Sequence, residues 1–169
     1  MIQLKIKNIA NSYLGQREVP GNMGFKDKAF EKKMVDVGFV KSYAWCALFA
    51  ELVWTEAYAN SGLVAKLRRL FSASATTTFK NFDIDKTFKV SQTPVVGAVA
   101  IWRHGSGWQG HAGIVVAING DSMSTVEGNT NAAGGREGIE VASKMRKWKG
   151  VPYQANGLNI VGFIHPNEI

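Results

Sequence analysis

The spacing of apolar positions changes about halfway along the chain. Ile2, Ile6, Ile9 and Tyr13 recur at helical spacing with Leu14 beside them, and Gly15 and the Val19-Pro20-Gly21-Asn22 stretch end that helix. Phe30, Met34 and Val37 form a second stripe, with Gly38 as its stop. The broadest apolar face, Leu48, Phe49, Leu52 and Val53, predicts a helix from about Tyr43 to Tyr58 with Ser42 as its cap. Residues Gly62 to Phe82 read as one or two short basic helices with a Ser/Thr-rich junction. After Pro94 the pattern becomes that of strands, expected over Val95–Trp102, His111–Ile118, Ser122–Glu127, Gly138–Met145 and Ile160–His165. Helices followed by an antiparallel meander of about five strands give an α+β architecture. No composition break marks a second domain, so residues 1–169 are read as one.

Hydrophobic residues make up 46% and charged residues 20% of the 169 positions, which excludes disordered and fibrous classes. No apolar run reaches the roughly 20 residues that span a bilayer, so membrane insertion is not expected. The first residues have lysines but no continuous apolar core and no small-residue cleavage site, unlike a secretory signal. The net charge of +7 favours an anionic partner. Nucleic acid is disfavoured, because the basic residues are scattered and the strands lack the aromatic–basic pattern of a single-strand platform.

The single cysteine excludes an internal disulfide and leaves two roles for the thiol, core packing or chemistry. The predicted helix puts Trp45 and Cys46 in its first turn, where unpaired N–H groups and the macrodipole favour a thiolate. His111 opens a strand between Gly110 and Gly113, which leave room for another segment to approach the imidazole. Taken singly, Cys46 is an ordinary buried hydrophobe and His111 an ordinary strand-end histidine. Glu127-Gly128-Asn129 closes the next strand. A strict two-residue Asn119-Gly120 turn sets His111 and Glu127 on opposite sheet faces. A three-residue Asn119-Gly120-Asp121 loop, or an equivalent bulge, pairs His111 with Asn129 and brings Glu127 diagonally onto the imidazole's face. The longer loop or the bulge is expected because the chemistry needs both side chains on one face.

Tyr43-Ala44-Trp45-Cys46-Ala47-Leu48-Phe49, Gly110-His111-Ala112-Gly113-Ile114 and Val126-Glu127-Gly128-Asn129 together resemble the CHAP family, the cysteine, histidine-dependent amidohydrolases/peptidases with a papain-like core. Glu18-Val19-Pro20-Gly21-Asn22 and Val161-Gly162-Phe163-Ile164-His165-Pro166 are similar to the edges of such domains, so the resemblance runs over nearly the whole chain. One departure is Gly97-Ala98, where many relatives carry Gly-Asp. The resemblance implies Cys46 as nucleophile, His111 as base and acid, Glu127 as the group that orients the imidazole and Asn129 as a further site residue. It also implies bacterial peptidoglycan as substrate, with a muramoyl–alanine amide or a stem or cross-bridge peptide bond as the bond cut.

A second oxyanion donor beside the Cys46 N–H is needed, and Tyr43 is a candidate by position. Trp45 and the aromatic residues Trp102 and Trp108 are candidates for a substrate groove, as is Trp148, against the ordinary reading of core packing. The basic run Lys144, Arg146, Lys147, Lys149 reads as a solvated strand end. No cofactor or metal is expected: His104, His111 and His165 are the only histidines, and neither HExxH nor GxSxG occurs. The alternatives are a papain-like acyltransferase or transglutaminase and a non-catalytic basic binding module. A monomer is expected, made in the cytoplasm and acting at the wall after lysis, on a virion or through a secretion system. An immunity protein or delivery machinery would be its protein partner.

Overall fold

The computed structural model describes residues 1–130 and 138–168. Helix α3 (Cys46–Ala57) is apolar on nearly every side, and all of its residues but Glu56 are buried. Such a helix belongs in the middle of a core. Around it lie α1 (Ile2–Ser12), α2 (Lys28–Asp36), α4 (Val64–Leu70) and α5 (Ala75–Asp85). Asp27 caps α2 by accepting from the N–H groups of Ala29 and Phe30, and Ser74 caps α5 at Thr77. The basic region beyond Gly62 is thus two helices, α4 and α5, joined at Phe71–Ser74.

The described strands are β1 (Val90–Ser91), β2 (Val99–His104), β3 (Gly110–Asn119), β4 (Ser122–Thr130), β5 (Glu140–Lys147) and β6 (Leu158–Ile164). They form one antiparallel sheet in the order β1-β6-β2-β3-β4-β5. Helices on such a sheet make the α+β, papain-like architecture that the sequence predicts, with a short sixth strand added at the edge. Ala112, Ile114 and Val116 point into the main core beneath α3. Trp102, Val115 and Met123 join a smaller cluster on the opposite face.

Several element ends differ from expectation, and the local cause is visible before β2 and at the start of α3. Val95–Ala98 is not strand, because Gly97 turns the chain at φ +84° and its N–H bonds to Val115. Helix α3 starts at Cys46, three residues later than expected, with Trp45 at the cap position. Ser42 does not cap it; φ +74° at Ser42 and a bond from its N–H to the Asn22 carbonyl hold it in a preceding turn.

The β3–β4 hairpin resolves the question of parity. Asn119 pairs with Ser122 around a two-residue Gly120-Asp121 turn, and not around the three-residue loop. Val116 then bulges, so that Val115 pairs with Thr125 and Ile114 with Val126. The bulge restores the register of the longer loop, and carrying it along the strands sets Gly113 opposite Glu127.

Candidate active site

Cys46 is the first residue of α3, where backbone N–H groups lack intrahelical partners and the helix dipole favours an anion. It is 4% exposed and lies at the floor of a cleft of about 650 Å³ that is also lined by Asn22, His111, Asn129, Trp108 and Arg146. Burial opposes ionisation of the thiol. The hydrogen bond and charge of His111, with the N–H groups of Ala112 and Ala47, outweigh burial and hold the thiol below its ordinary range.

His111 interacts on two sides: its Nε2 lies 2.7 Å from Oε2 of Glu127, and its ring also interacts with the Cys46 thiol. Burial works against the imidazolium, but Cys46 and Glu127 raise the imidazole to about 9. A lowered thiol and a raised imidazole both favour passage of the proton from sulfur to the ring.

Glu127 is fully buried, and four hydrogen bonds among the described residues satisfy its carboxylate. His111 and Thr125 Oγ1 supply one each, the latter at 2.6 Å from Oε1, and Arg146 supplies two. Burial alone would protonate the group, yet Arg146 and His111 hold it down at about 2. The glycines beside these residues have steric reasons. A Cβ on Gly113 would lie 2.7 Å from Glu127 Cγ, and one on Gly128 would lie 2.6 Å from the Trp45 ring and 2.7 Å from Phe49 Cβ. Gly113 admits the glutamate, and Gly128 lets β4 lie against α3.

The sequence-predicted residues separate into two groups. Cys46, His111 and Glu127 meet as a hydrogen-bonded line, and Asn129, with φ +51°, lines the cleft beside them. Trp108 is 81% exposed at the rim, as a substrate-contacting aromatic would be. The other candidates lie elsewhere. Tyr43 is 59% exposed but outside the cleft lining. Trp45 is fully buried; its ring packs against Phe25 and Phe30 and its indole N–H donates to Glu18 at 2.8 Å. Trp102 is 2% exposed and lies against the back of the imidazole, with ring centroids 5.8 Å apart. Trp148 packs on the smaller cluster and bonds to the Gly120 carbonyl.

Asn22, Thr125 and Arg146 were not among the sequence candidates. Asn22 lines the cleft next to Ala44 and Cys46, and its Oδ1 is buried without a partner among the described residues. The signal for Arg146 was an inverted strand pattern: Met145 is 80% exposed while Arg146 on the other side of β5 is half-buried. The basic run is therefore not simply a solvated strand end.

The sequence profile of the CHAP domain matches residues 38–129, a stretch that contains Cys46, His111, Glu127 and Asn129. The chain belongs to the CHAP family. No match was found among curated proteins or among solved structures. CHAP membership implies amidase-type hydrolysis, directed in general at peptidoglycan. Among the described residues no group of three or more His, Cys, Asp and Glu side chains is placed to hold a metal ion, and no helix is long and apolar enough to cross a membrane.

Proposed function

We propose that this CHAP protein hydrolyses an amide bond in the peptide part of bacterial peptidoglycan through a thioester on Cys46. The observation that carries the reading is the line Cys46–His111–Glu127 at the head of a helix and the floor of an open cleft. The thiolate adds to the amide carbonyl carbon, a C–S bond forms, and the carbonyl π electrons move to oxygen. The tetrahedral intermediate collapses as the C–N bond breaks and His111 Nδ1–H gives its proton to the departing amine. His111, now neutral, takes a proton from water; the hydroxide adds to the thioester, and the thiolate leaves to regenerate the pair. Glu127 stays ionised throughout and keeps the imidazole in one tautomer and one orientation.

The oxyanion forms beside the Cys46 N–H, and the side-chain amide of Asn22 is the second donor in this reading, in place of Tyr43. Its Oδ1 is buried with no partner among the described residues, so in this reading the acceptor end is open to a substrate N–H while the NH2 end donates to the oxyanion. The Ser42 N–H, bonded to the Asn22 carbonyl at 2.8 Å, ties the loop to the segment that leads into the nucleophile. Trp108 supplies an apolar face for the substrate at the rim, and the protein acts at the wall once released from the cell that makes it.

Digestion of purified sacculi with mass spectrometry of the products tests this, with Cys46→Ala as control. Glycan strands freed of whole stem peptides identify an amidase, and new peptide N-termini identify an endopeptidase. Transfer of the acyl group to an added amine in preference to water moves the reading to an acyltransferase. Silence on several wall chemotypes overturns it.

A further inference from the structure

One permanent cation closes a ring of side chains on the face that carries His111, and it lies beyond the residues the CHAP profile matches. Trp102, His111, Glu127 and Arg146 come one each from β2, β3, β4 and β5. Arg146 donates from Nε to Oε1 of Glu127 at 2.8 Å and from Nη2 to Oε2 at 2.6 Å, and its guanidinium sits 5.2 Å over the Trp102 ring. Trp102 and Glu127 each touch His111 in turn. A forked guanidinium fixes the plane of a carboxylate as well as its charge, which a single ammonium does not.

We propose that Arg146 is a positioning residue of the reaction: it locks Glu127 as an oriented carboxylate, so that His111 keeps its Nε2 bond and presents Nδ1 to Cys46. This rests on the thiolate mechanism above. The groups that face Glu127 are His111 from β3, Thr125 from its own strand and Arg146 from β5, while Cys46 reaches it only through His111. Among the described residues that hydrogen-bond Glu127, Thr125 is neutral and the charge of His111 depends on the thiol, so Arg146 is the one that brings fixed positive charge to the buried carboxylate. Without it, Glu127 answers burial by taking up a proton. A carboxylic acid no longer stabilises the imidazolium, and the proton shared by the pair returns to sulfur.

The test needs no wall substrate. The rate at which iodoacetamide alkylates Cys46 is measured from about pH 4 to 9 in the wild type, Arg146→Gln and Arg146→Lys, with thermal melts alongside. The wild type reacts well below the ordinary thiol range of about 8.5. In Arg146→Gln the midpoint rises by a unit or more, so at a pH below the wild-type midpoint the rate falls ~10-fold or further. Arg146→Lys keeps charge without the fork and lies between the two. In a Glu127→Gln background, Arg146→Gln adds no further loss, because it acts through Glu127. A purely structural arginine lowers the melting temperature of either variant and leaves the midpoint in place. An unmoved midpoint in folded Arg146→Lys or Arg146→Gln overturns the proposal. An ordinary midpoint in the wild type instead overturns the thiolate reading itself, so the two failures are distinct.

Discussion

Adding one methyl group at Gly113 should damage the site without touching any of its functional groups. The new Cβ lies 2.7 Å from Glu127 Cγ, and restoring an ordinary 3.4 Å contact displaces one of them by about 0.7 Å. Gly113 is held in the middle of the sheet, where it pairs with Ala100, so most of the displacement falls on Glu127. Its carboxylate is fixed by four bonds of 2.6–2.8 Å, and a shift of that size stretches the 2.7 Å contact to His111 beyond hydrogen-bonding range. Misplacement by 1 Å costs on the order of 10²-fold in rate, so Gly113→Ala should lose ~10- to 100-fold in kcat/KM. Overpacking should also remove about 1–3 kcal/mol of stability. Gly62→Ala is the control, since nothing lies within 4 Å of a Cβ there and its φ is ordinary. Turnover of solubilised wall fragments and thermal melts read the two effects. A Gly113→Ala protein with wild-type kcat/KM would refute the claim that Glu127 must sit against that backbone.

Removing the second oxyanion donor by Asn22→Ala should lower kcat by about 10²–10³-fold with a small change in KM, measured by steady-state kinetics; an effect confined to KM would make Asn22 a binding residue. Trp108→Ala should raise KM while Tyr43→Ala leaves both constants unchanged, since only the first lines the cleft. Activity should fall on the alkaline side as pH passes about 9, where the imidazolium loses its proton. Because Glu127 is held at about 2, below its ordinary 4.5, its contribution to stability is complete above 4.5 and is lost as pH falls towards 2. Glu127→Gln should therefore show a shallower fall in melting temperature across that acid range.

What the sequence made legible was the local chemistry of single elements. Cys46 in the first turn of a helix and His111 at a strand start follow from spacing and periodicity, which act over a few residues, whereas the Glu127 register follows only from the chemical need for His111 and Glu127 to share a face. The register came from a bulge at Val116, where the sequence equally allowed a longer turn. Contacts across four strands were not legible. Arg146 reaches Glu127 from four pairs along the β4–β5 ladder, where its own partner is Met123 and that of Glu127 is Ala142. Trp102 was misread as a groove residue because its strand sits between β6 and β3 with both faces covered, a fact of sheet order. Trp45 was misread because the cap position turns its ring into the core towards Glu18, 27 residues earlier.

The central claim is that a wall amide is cut through an acyl group held on one sulfur. The measurement closest to it is intact-mass spectrometry of the protein quenched in acid during turnover of a cell-wall peptide. A fraction of the protein should be heavier by the acyl half of the substrate, with the added mass on Cys46, released by hydroxylamine and missing in Cys46→Ala. Undiminished cleavage by Cys46→Ala, with no adduct on the wild type, would contradict it.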